Sequence, residues 1–113
     1  MPLAYTAPVV FVETHAFTVV IRGLLPDDSY RLLQAALTGN PELGVVIPGT
    51  RGIRKVRWLG SGHGKRGGIR VLYYSHPISR TILFLFAFSK TERDDLSASQ
   101  KAALRRIIEA EYP

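Results

Sequence analysis

Between residues 43 and 91 the chain carries nine Lys and Arg and no Asp or Glu; all nine acids lie outside that window. Inside it, residues 51–74 read RGIRKVRWLGSGHGKRGGIRVLYY and hold seven of the fifteen basic residues. This stretch constrains the fold more than any other. Its polarity alternates as in a strand, where successive side chains point to opposite faces. A solvated surface normally mixes both signs of charge, because like charges repel. A sheet built from these residues therefore gathers cations on one face and apolar residues on the other. A face of that kind expects an anionic partner, and phosphates are the first candidates.

The pattern resolves into strands on either side of a glycine-rich loop. Over residues 53–59, Val56 and Trp58 share the core side. Lys55 and Arg57 share the other, roughly 7 Å apart along the strand. Over residues 69–75, Ile69, Val71 and Tyr73 alternate with Arg70, Leu72 and Tyr74. The loop between them, residues 60–68, holds five glycines with His63, Lys65 and Arg66. It is no Walker motif, since Arg66 follows Lys65 where Ser or Thr is required. It suits contact with an irregular RNA backbone, against the alternative of a long hairpin loop with solvated charges. His76-Pro77-Ile78-Ser79 forms a hairpin turn into residues 81–88, apolar on both faces and so an interior, covered strand.

Flanking segments complete the order. Residues 9–13 (VVFVE) predict a first strand. Thr14 caps a helix to about Leu24, with Phe17, Val20 and Ile21 on one face. Pro26-Asp27-Asp28 opens a second helix, since Pro is tolerated in a first turn and acids favour its positive end. Its stripe is Tyr30, Leu33, Ala36 and Leu37, with Tyr30 a packing anchor; Gly39 serves as the C′ residue and Pro41 blocks continuation. Residues 43–50 are a connector with a turn at Pro48-Gly49. Ser97 with Gln100 makes a capping box for a last helix to about Ala110, packed through Leu104, Ile107 and Ile108. Strand, helix, helix, antiparallel three-strand meander, helix is an α+β order, and 113 residues make one domain over 1–113.

Composition narrows the chemistry. Net charge is +6, with a pI of about 10.1. Without cysteine there are no disulfides, thiolate nucleophiles or Cys-ligated metals, which fits a cytoplasmic location. His15, His63 and His76 are scattered without ligand spacing, so no metal or other cofactor is expected; His63 as an acid–base group is a weaker option than an incidental loop histidine. The first Lys or Arg is Arg22, so the N-terminus has no basic n-region for a signal peptide. The longest apolar run, residues 82–88, falls far short of the ~20 residues of a membrane helix. Lys55, Arg57 and Arg70, on neighbouring strands, form the strongest constellation. Three cations facing one way match phosphoryl transfer, where charge builds on the phosphate, and they match plain nucleic-acid binding equally.

The series NPELGVVIPGTRGIRKVRW, GKRGGIRVLYY and LFAFSKTERDDLSASQ resembles the RelE/HigB superfamily of bacterial toxins, in a HigB-type branch, over about residues 9–108. The resemblance implies a RelE-like fold and the toxin of a type II toxin–antitoxin pair. Such toxins are endoribonucleases that enter the ribosomal A site and cut translated mRNA without a metal, the ribose 2′-hydroxyl attacking the adjacent phosphate. It implies a HigA-like antitoxin with a helix-turn-helix domain, operator DNA being bound only through the complex. Carried across, Lys55 and Arg57 flank the scissile phosphate, Arg70 stabilises the transition state, and Lys90 lies near the leaving group or ribosomal RNA. Arg51, Arg54, Lys65, Arg66 and Arg93 would hold ribosome or message. The sequence departs from RelE in two places. Thr91 stands where RelE has an arginine, and the region of Ser97 lacks its message-stacking tyrosine. The general acid and the stacking group are thus unassigned. Two other readings remain: a non-nucleolytic binding module on the same fold, blocking ribosome or gyrase, and a generic RNA-binding adaptor.

Overall fold

The computed structural model describes residues 8–59, 68–90 and 95–113. The elements in order are β1 (Val10–Glu13), α1 (His15–Leu24), α2 (Asp27–Gly39), β2 (Val45–Val46), β3 (Arg54–Trp58), β4 (Ile69–His76), β5 (Thr81–Ser89) and α3 (Ala98–Glu111). The five strands form one sheet in the order β1-β5-β4-β3-β2. β2 through β5 are antiparallel, and β1 joins β5 in parallel. The expected three-strand meander is therefore present within a longer, mixed sheet. β2 was read as connector because it is two residues long and both of its valines are exposed.

Each face has its own core. Phe17 and Ile21 of α1 and Leu33 and Leu37 of α2 pack with Val56, Val71, Tyr73, Ile82 and Phe84. On the other face Ile108 and Leu104 of α3 meet Leu72, Leu83, Leu85 and Phe88. This is the alternation expected of β4 and the two-sided burial expected of β5. Phe84 is the hub of the first core. Phe17 stacks on it at 4.8 Å, Phe11 at 5.7 Å, and Tyr30 meets it edge-on at 5.6 Å. Such ring pairs add about 0.5–1.5 kcal/mol each beyond area burial. Tyr30 also donates to Glu13 Oε2 at 2.5 Å, as befits a packing anchor.

Local signals act at identifiable atoms. Thr14 Oγ1 accepts from Phe17 N at 3.1 Å, capping α1, and donates to the Leu85 carbonyl at 2.8 Å. Leu85 is the extra residue of a bulge, since Leu72 pairs with Phe86 and Tyr73 with Phe84. One threonine thus starts a helix and pins the bulge. Ser97 and Gln100 form the expected capping box, with both reciprocal bonds made. Gly49 sits in the Pro48-Gly49 turn at φ +80, a conformation glycine adopts without steric cost.

Two helix-end expectations are corrected. Gly39 is the last residue of α2 and not a left-handed C′ residue; it has no positive φ, and Asn40 caps the helix before Pro41. Ile107 is not part of the packed side of α3: it is 38% exposed, because helical rotation centres that face on Leu104 and Ile108. Among the described residues no helix is long and apolar enough to cross a membrane.

Candidate nucleic-acid interface

The cationic face is built by strand register. Arg57 of β3 pairs directly with Arg70 of β4, and Lys55 pairs with Leu72. Directly paired residues share a face, with Cβ atoms about 4.5–5.5 Å apart. Lys55, Arg57 and Arg70 therefore lie on one side of the sheet, the side on which Leu72 meets α3. Like charges directly opposite one another destabilise a strand pair, and Arg70 also has an interaction within the chain.

The three cations differ in access. Arg57 is exposed and Lys55 half-buried, while Arg70 is 3% exposed. Lys55 and Arg70 both have interactions within the chain. Arg70 thus departs from the expectation of three side chains presented together: the end of a long side chain on an interior strand is enclosed beneath the surface. Lys55 Nζ lies 3.9 Å from Asp95 Oδ1, whose side chain is 91% exposed. The fold therefore returns an acid to a stretch that has none in sequence. Lys55, Asp95 and Lys101 line a recess of about 240 Å³ between β2 and the start of α3. Asp95 and Lys101 escaped the sequence reading because both lie outside the acid-free window and only α3 brings them back.

Lys90 is exposed just beyond β5, and its N–H reaches the Gly68 carbonyl at 3.4 Å. Gly68 has φ +53, and a methyl group there would come within 2.5 Å of the Trp58 carbonyl oxygen. Glycine at this position lets β4 start hard against the end of β3, which keeps Arg57 and Arg70 in register. Trp58 was expected to turn into the core. It is partly buried there, but it also lines a recess of about 470 Å³ with Arg57 and Ser29. Its Nε1 donates to Ser29 Oγ at 3.2 Å. Tyr73 is fully buried as expected, and Tyr74 packs on Tyr112 at 5.3 Å. Trp58 thus keeps a partly open surface on the α2 side of the sheet, the opposite face from Lys55 and Arg70, in a recess that Arg57 also lines.

Of the residues expected to hold ribosome or message, Arg51 and Arg54 lie away from this face. Arg54 bonds the Gly44 carbonyl at 2.7 Å and approaches Glu42 at 3.9 Å, on the α2 side of the sheet. His63, Lys65, Arg66, Thr91 and Arg93 lie outside the described residues. Ser97 is the N-cap of α3. No family model matches the chain.

Proposed function

We propose that the chain is the toxin of a type II toxin–antitoxin pair and cleaves translated mRNA on the ribosome. The observation that carries this reading is the direct pairing of Arg57 with Arg70, two residues along β3 from Lys55, on a single sheet face. The reaction is attack of a ribose 2′-oxygen on the adjacent phosphorus with loss of the 5′-oxygen, giving a 2′,3′-cyclic phosphate and a free 5′-hydroxyl. Negative charge grows on the non-bridging oxygens along that path, and fixed cations stabilise it more than the ground state. Lys55 and Arg57 flank the phosphate. Arg70 holds positive potential beneath Arg57, and Lys90 serves the leaving side. A HigA-like antitoxin neutralises the toxin, and both act in the cytoplasm.

The burial of Arg70 favours one runner-up, a module that occupies the ribosome without cutting, because a buried guanidinium does not touch a strand directly. Inducible expression in a bacterium separates the two. Primer extension is run on a translated reporter and on a copy without its start codon. Cuts confined to the translated copy and lost in Arg57→Ala support cleavage. Growth arrest with intact message supports the runner-up. Arg57 is the better variant because it is exposed, whereas Arg70→Ala removes a buried side chain and risks the fold.

A further inference from the structure

A second basic site lies at the opposite end of the sheet, where β3 and β5 begin and β4 ends. Arg51, Arg54, Arg80 and Tyr74 line a cavity of about 490 Å³ there. Arg57, Arg70, Lys55 and Lys90 do not line it. Along β4, Arg70 and Ser75 are separated by five residues, roughly 17 Å, so this cavity is distinct from the face described above. Among the described residues three guanidiniums and one carboxylate, Glu42, line it, and Arg80 also has an interaction within the chain. Glu42 is already near Arg54, at 3.9 Å.

The backbone supplies an independent observation. Among the described residues the non-glycine positions with positive φ are Arg51 (φ 65) and Arg80 (φ 51). Both line this one cavity. Glycine adopts that conformation without steric cost and arginine does not. Strained backbone of this kind collects at ligand sites, where the side chain is what the site requires. Here the side chain is a guanidinium, whose planar fork suits a phosphate. The remaining wall is apolar and aromatic, from Tyr74, Ile82 and Pro77, with the Asn40 amide beside it. The volume exceeds that of a phosphate and falls within the ~300–1,000 Å³ of sites for small organic ligands.

We propose that this cleft binds a single nucleotide, the phosphate held by Arg51 and Arg80 and the base laid along Tyr74. The proposal is independent of whether the Lys55–Arg57–Arg70 face cuts RNA. The full chain is titrated by calorimetry and NMR with adenosine 5′-monophosphate, adenosine, inorganic phosphate and a short oligoadenylate. Adenosine monophosphate is expected to bind at least about tenfold tighter than adenosine or phosphate, because base and phosphate contacts combine. Its shift changes should centre on Gly52, Tyr74 and Arg80. The variant Arg51→Gly/Arg80→Gly suits both backbone conformations, and it should weaken binding about tenfold or more. Arg51→Gly alone, at an exposed turn, should move affinity in the same direction. Arg57→Ala should leave affinity unchanged. If the oligoadenylate binds tighter at the same residues, the occupant is part of a strand; if not, it is a free nucleotide. Binding that survives loss of both arginines, is lost in Arg57→Ala, or is no tighter than that of phosphate or adenosine overturns the proposal.

Discussion

At the residue scale, three side chains show how polar groups are made safe in this fold. The Tyr73 hydroxyl is buried, donates to the Pro41 carbonyl at 2.8 Å and accepts from Gly44 N at 2.8 Å. Tyr73→Phe strands both backbone groups and is expected to cost about 1–3 kcal/mol, read from urea denaturation. Burial raises the Tyr73 hydroxyl above the ordinary phenol range; it does the same to Tyr30, where the bond to Glu13 adds to the effect. On unfolding both return to about 10. Their contribution to stability is therefore complete below about pH 10 and is lost as pH climbs through the raised folded values. The urea midpoint should hold to about pH 9 and fall above 10, less steeply in Tyr30→Phe; an equal fall in that variant would contradict the assignment. Arg51 works the other way. Arg51→Gly relieves ~1–2 kcal/mol of left-handed strain and adds ~0.4–1 kcal/mol of unfolded-chain entropy. A net gain of about 0–1.6 kcal/mol is expected in thermal denaturation.

Elements are where the sequence was most legible, and where its limits have physical causes. The caps at Thr14 and Ser97, the Pro48-Gly49 turn and the alternation of β3, β4 and β5 rest on local chemistry, so they could be read residue by residue. β2 could not, because a two-residue strand exists only through its pairing with Lys55 and Arg54. Neither the parallel placement of β1 nor the bulge at Leu85 has a local signal; both depend on α1 folding back onto β5. The same division holds at the site. Alternation put Lys55, Arg57 and Arg70 on one face, but it carries no information on depth, so the burial of Arg70 and the approach of Asp95 were hidden. Gly68→Ala tests the junction that sets this register. With φ positive and the Trp58 carbonyl in the way, it is expected to destabilise by about 2 kcal/mol or more. An unchanged melting temperature would show that the β3–β4 junction adjusts freely.

For the whole molecule, net charge of +6 and the one-signed stretch make a field that attracts polyanions, and in the proposed function the register of β3 and β4 decides where a phosphate comes to rest. Contacts from Lys55, Arg57 and Lys90 to the phosphates of a single strand give a slope of about −2 in log affinity against log salt, and Arg57→Ala should reduce its magnitude by about 0.7. Asp95→Asn removes a carboxylate 3.9 Å from Lys55 and should tighten RNA binding. A slope unchanged in Arg57→Ala would move the contact elsewhere on the molecule. The most direct test of the central claim uses purified chain, ribosomes programmed with one message, and the same message with a single 2′-deoxynucleotide at the cut site. Cleavage of the all-ribose message, ending in a 2′,3′-cyclic phosphate and absent both from the deoxy message and with Arg57→Ala, is the predicted result. Equal cleavage of the two messages, or none of either by the wild-type chain, contradicts the assignment of the Lys55–Arg57–Arg70 face to RNA cleavage.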